Sequence, residues 1–148
     1  MIIKLEPEEI NVWFLAFFTR CGSNFFNRWV PGKYKHVSAF SFSASTKTWV
    51  WYDVSLRGTQ VTLLPAGWQS DEIIAFMTRE ADILRVERGK VPYSGMRLGF
   101  WCVPAVKHLI WSKSSALIPC SLWTYCLRNG AKIIHQQEVK CLENQHLS

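Results

Sequence analysis

Residues 34–55 read YKHVSAFSFSASTKTWVWYDVS, and the way this stretch pairs with itself decides the fold. YKHVSAFSFS (34–43) and KTWVWYDVS (47–55) each alternate apolar and polar positions, the period-two signature of a half-buried strand. The Ser/Thr-rich link from Ala44 to Lys47 joins them as an antiparallel hairpin. The parity of that link sets which side chains share a face. An even link places His36 opposite Ser55 and makes Asp53 its diagonal neighbour, on the face that carries Phe40, Phe42, Trp49 and Trp51. An odd link turns Asp53 away. On the even register a carboxylate stands beside an imidazole, an arrangement that fixes the ring's tautomer and supports its charged form.

Outward from the hairpin, TQVTLLP (59–65) reads as a third strand. SDEIIAFMTREA (70–81) reads as a helix with Ser70 as N-cap and acidic residues in its first turn. DILRVERG (82–89) returns as a strand, and residues 89–99 form a loop. CVPAVKHLIW (102–111) and PCSLWTYCLR (119–128) follow as helices, the second stopped by Asn129-Gly130. AKIIHQ (131–136) closes as a strand. Toward the N-terminus, GSNFFNRWVPGK (22–33) reads as an irregular connection ending in a Pro-Gly turn. Pro7 with Glu8 and Glu9 gives a helix-start signal, predicting a helix to about Arg20. The expected class is α+β, an antiparallel sheet with helices, in a single domain over 1–137 with a polar tail over 138–148.

Composition is consistent with a packed domain: 49% of the 148 residues are hydrophobic and 19% charged, unlike a disordered chain. Eight Trp and nine Phe supply a core of large rings or an aromatic contact surface. The net charge of +6 permits contact with a polyanion. Its carriers, among them Lys33, Lys35, Arg57, Arg85, Lys107 and Lys113, form no dense run, so nucleic acid is not the favoured partner. Five cysteines with no C-x-x-C pair argue against a zinc ribbon and a full disulfide framework, and no metal or cofactor is expected. The apolar run VWFLAFF (12–18) is too short to span a membrane and lacks a cleavage site after it, so synthesis in the cytoplasm is the expectation.

One cysteine stands apart. In FWCVPAVKHLI (100–110), Pro104 is tolerated only in the first turn of a helix. That places Cys102 at the helix start, where unpaired backbone N–H groups favour a thiolate and can also hold an oxyanion. An ordinary thiol near pKa ~8.5 is only a few per cent ionised at neutral pH, so such a nucleophile needs a base close by. His146 lies in the tail, and His108 sits six residues along the same helix, out of reach. His135 and His36 remain, and His36 is the one carried by a strand beside a carboxylate. Cys102, His36 and Asp53 are therefore the candidate catalytic set, with Phe100, Trp101 and Trp51 as candidate walls of a substrate groove.

KHVSAFSF, then a strand ending WYDVS, then a helix opening CVPAVKHLI, resembles the circularly permuted papain-like cysteine hydrolases related to the NlpC/P60 group. In those proteins the histidine strand precedes the cysteine helix, which often begins Cys-Val-x-x-Val-Lys; here these are Cys102, Val103, Val106 and Lys107. IPCSLWTYCLRNGAKII (118–134) resembles the helix and Gly-closed turn that follow in short phage- and prophage-type members. The resemblance spans roughly residues 34–134. It implies thiol-dependent hydrolysis or acyl transfer at an amide, ester or thioester, with a cell-wall peptide or a lipid as target. It equally accommodates a non-catalytic papain-like part of a phage particle, associated with the virion and docking a protein partner.

Overall fold

The computed structural model describes residues 10–21, 24–55, 57–91, 99 and 101–137. Its first element, β1 (Val12–Phe18), is a strand where the sequence predicts a helix. The residues carrying the helix-start signal, 7–9, lie outside the described residues, as does the tail 138–148. The reason for the strand is non-local. β1 pairs antiparallel with β2 (His36–Ser43) on one side and β5 (Ala81–Glu87) on the other. A strand hydrogen-bonded on both edges and covered on both faces is apolar at every position. Seven apolar residues in a row do not separate strand from helix by themselves; partners distant in the chain decide it.

The hairpin forms as expected. β2 pairs with β3 (Thr48–Ser55) from Ser43–Thr48 to Ala39–Tyr52, which leaves a four-residue link, 44–47, and the even register. β4 (Gly58–Pro65) adds to β3, and β6 (Lys132–His135) adds to β5. The result is an α+β fold with a six-stranded antiparallel sheet in the order β4-β3-β2-β1-β5-β6.

Three helical details depart from expectation. The connection 22–33 contains a short helix, α1 (Asn24–Trp29), before the Pro31-Gly32 turn. There Gly32 has φ +88, and a Cβ on it would lie 2.5 Å from the Cys120 sulfur, so the close approach requires glycine. Helix α2 (Trp68–Thr78) starts two residues earlier and stops sooner than predicted. Ser70 caps from inside the helix: its Oγ accepts from the Gly67 N–H at 2.9 Å and donates to the Gly67 carbonyl at 2.8 Å. The chain then turns at once so that Ala81 and Ile83 enter the sheet core. Helices α3 (Cys102–Leu109) and α4 (Pro119–Arg128) begin where expected.

Strand alternation sorts the core into two layers. Leu15, Phe17, Val37, Ala39 and Leu84 pack against Val103 and Val106 of α3 and Leu122 and Cys126 of α4. On the opposite face Ala16, Phe40, Trp51 and Ile83 pack beneath Ile74 of α2. No side chain caps α3. Burying a valine completely contributes about 1.5–3 kcal/mol, against about 1 kcal/mol for a good N-cap. Packing of the fully buried Val103 and Val106 therefore fixes where α3 begins, and with it the position of Cys102. Among the described residues, no helix is long and apolar enough to cross a membrane.

Candidate active site

The open end of the β2–β3 hairpin positions the first two candidate residues. The backbone ladder between these strands stops at Ala39–Tyr52. Beyond it, side chains take over the pairing. His36 Nε2 lies 2.6 Å from Asp53 Oδ1. Ser38 Oγ donates to the same oxygen at 2.6 Å and stands 3.3 Å from His36 Nε2. His36 is held on its other side by β1, where it pairs with Phe18 and packs against that ring at a centroid distance of 6.1 Å.

Cys102, the first residue of α3, lines the same cleft and lies near enough to the His36 side chain to raise its pKa. By strand alternation His36 belongs to the α2 face, whereas α3 packs on the other face. Both groups nonetheless line one cleft.

The electrostatics of the three groups are interlocked. Burial disfavours the charged imidazole, but the hydrogen bond it donates to Asp53 and the nearby Cys102, with the negative charge each bears when ionised, outweigh it and raise the His36 pKa to about 10. Burial likewise pushes the Asp53 carboxyl upward. Its hydrogen bond and charge pairing with His36, with further hydrogen bonds from Ser38 and the Val54 amide, more than reverse that, and the net shift is downward. An imidazolium fixed by an ionised carboxylate is the state this geometry favours at neutral pH.

These groups open into a cleft of ≈ 950 Å³. Trp51, 5% exposed and stacked on Phe40 at 5.4 Å, lines it from the α2 face. Trp101 lines it beside Cys102, its indole N–H donating to the Leu117 carbonyl at 2.8 Å. The Trp101 ring lies where a side chain at position 99 would be: a Cβ on Gly99, at φ +101, would come within 2.3 Å of it. Trp101 is 38% exposed and forms part of the cleft wall. Phe100, the third candidate wall, lies outside the described residues.

His135 stands on β6, exposed at the far edge of the sheet and absent from the cleft. Lys107 donates to the Ala116 carbonyl at 2.9 Å, tying α3 to the segment that delivers Leu117, Ile118 and Pro119 to the cleft. The other buried thiol, Cys126, is 3% exposed, and burial pushes its pKa up to about 12. Among the described residues, no cluster of three or more His, Cys, Asp or Glu side chains could hold a metal ion.

Sequence reasoning passed over Ser38, although the register that pairs His36 with Asp53 also sets Ser38 opposite Asp53. It also passed over the cleft's cations, Arg20, Lys35 and Arg57. Comparison with protein-family models, with curated proteins and with solved structures finds no match.

Proposed function

We propose that the protein is a thiol-dependent hydrolase or acyl transferase, with Cys102 as nucleophile, His36 as acid and base, and Asp53 as the group that orients His36. The observation that carries this reading is the hydrogen-bonded His36–Asp53 pair sharing one cleft with Cys102, which lies close enough to raise the His36 pKa. It is the arrangement a cysteine nucleophile needs: a thiol, a base near it, and a partner holding the base. The order of the histidine strand, aspartate strand and cysteine helix supports a permuted papain-like arrangement.

In this mechanism the Cys102 thiolate attacks the carbonyl carbon of an amide, ester or thioester, forming a C–S bond. The amides of Cys102 and Val103 have no acceptor within their own helix, and Pro104 has no N–H to offer. They are the donors for the oxyanion. The His36 imidazolium gives its proton to the leaving group as the bond to the acyl carbon breaks, leaving a thioester on Cys102. Water, deprotonated by His36, or an acceptor hydroxyl or amine then attacks that thioester and releases the thiol.

The test is a pre-steady-state reaction with a p-nitrophenyl alkanoate. The expected result is a burst of nitrophenolate close to one equivalent, with the acyl group on the Cys102 peptide by mass spectrometry, and no burst in Cys102→Ala. Undiminished hydrolysis in Cys102→Ala, or acylation spread evenly over the other cysteines, overturns the assignment.

A further inference from the structure

The cleft's charge balance says more about what it accepts. Its walls are apolar for the most part, including Phe18, Trp51, Met77, Trp101 and Leu117, yet they carry Arg20, Lys35 and Arg57. Among the described residues, the only carboxylate lining it is Asp53, which is already paired with His36 at 2.6 Å.

The antiparallel sheet is what gathers these cations. β1 ends at Phe18, β2 starts at His36, β3 ends at Ser55 and β4 starts at Gly58. All four lie at the same end of the sheet, and Arg20, Lys35 and Arg57 each sit within two residues of one of them. Lys35 Nζ donates to the Val30 carbonyl at 2.5 Å, which keeps its charge at the cleft wall. Arg20 and Arg57 are exposed and form no ion pair among the described residues. Lys33, by contrast, is engaged elsewhere, 2.6 Å from Asp82.

We infer that this cleft holds an acyl substrate bearing an oxyanion, a carboxylate or phosphate, which Arg20 and Arg57 bind with Lys35 beside the scissile carbonyl. This rests on the proposed role of Cys102 for the reaction, but not for the recognition. Guanidinium groups match both oxyanions in bidentate geometry, and an apolar wall behind them lowers the local dielectric and strengthens the attraction.

Iodoacetate and iodoacetamide test it, because they share size and leaving group and differ in charge. In each case sulfur displaces iodide: the S–C bond forms as the C–I bond breaks and iodide departs. The readout is the ratio of the two rate constants at Cys102 at low ionic strength, normalised to the same ratio for glutathione. The ratio is taken within one protein, so a variant that perturbs the thiol itself cancels. In the double variant Arg20→Gln/Arg57→Gln the ratio is expected to fall about tenfold, and 0.5 M salt is expected to lower it in the unmodified protein.

Inorganic phosphate and acetate, added as competitors against iodoacetamide, separate the two oxyanions. Stronger slowing by either one supports the subsite and names its ligand. A ratio unchanged by the double variant, with no slowing by either anion, overturns the inference. A Cys102 that reacts slowly yet retains the charge preference leaves the anion subsite standing and removes the catalytic reading instead.

Discussion

Replacing His36 with alanine is expected to slow alkylation of Cys102 by iodoacetamide at pH 6 by about a hundredfold. At that pH a thiol of ordinary pKa, about 8.5, is only about 0.3% ionised, so nearly all of its nucleophilicity has to come from stabilisation of the thiolate. In the proposed mechanism the His36 imidazolium supplies it, and that ring is held charged by Asp53 and by the nearby thiol. The reference thiols are in the same chain. Cys126 is buried with its pKa pushed up to about 12, and Cys120 is occupied as acceptor of the Tyr34 N–H at 3.1 Å. In the unmodified protein Cys102 should therefore be labelled first at pH 6, as peptide mapping after a short pulse would reveal. Equal labelling of all the cysteines, or an undiminished Cys102 rate in His36→Ala, would mean that the ring does nothing for the sulfur.

A large effect on stability is expected away from the cleft, at Asp82. This carboxylate is 2% exposed and accepts from three directions: Lys33 Nζ at 2.6 Å, the Tyr34 hydroxyl, and the Gln137 amide at 2.7 Å. It thus ties the segment before β2 and the chain after β6 to the start of β5. Asp82→Ala leaves the hydroxyl of Tyr34, itself 3% exposed, without its acceptor. Lys33, whose side chain is 40% exposed, can turn to water. The expected loss is therefore about 2–3 kcal/mol, below the range for a fully buried ion pair.

Its pH dependence has a definite sign. Burial raises the Asp82 pKa, but hydrogen bonds from Lys33, Tyr34 and the Gln137 amide, with the Lys33 charge, outweigh burial and lower it. A folded-state pKa below the unfolded value of about 4 means that the contribution is complete above pH ~4 and is lost as pH falls through the folded value. Urea titrations at pH 7 and pH 3 would measure both effects. A difference between the two proteins that does not shrink at pH 3, or an Asp82→Ala variant as stable as the parent at pH 7, would contradict this account.

How much of this is legible in the sequence depends on how local each signal is. The hairpin is legible because a period of two and the parity of a four-residue link determine which side chains share a face; His36 and Asp53 follow from that alone. Cys102 is legible because Pro104 confines the helix start to its neighbourhood. β1 is not, since VWFLAFF fits a buried strand or a buried helix equally well, and only its pairing with β2 and β5 chooses. Asp82 is invisible for a related reason: one aspartate at the head of a strand acquires meaning only when Lys33, Tyr34 and Gln137 arrive from elsewhere in the chain. The cleft's cations escape notice because they are dispersed along the chain. Arg20, Lys35 and Arg57 form no run, and it is the antiparallel return of the strands that brings them to one end of the sheet.

The most direct measurement is a titration of the His36 ring by NMR, following its nitrogen and Cε1 resonances from pH 5 to pH 11. The pairing with Asp53 and Cys102 calls for a ring that stays protonated to about pH 10 and titrates lower in both Asp53→Asn and Cys102→Ala. A ring that loses its proton near pH ~6.5, the ordinary value for histidine, and does so identically in all three proteins, would contradict the account.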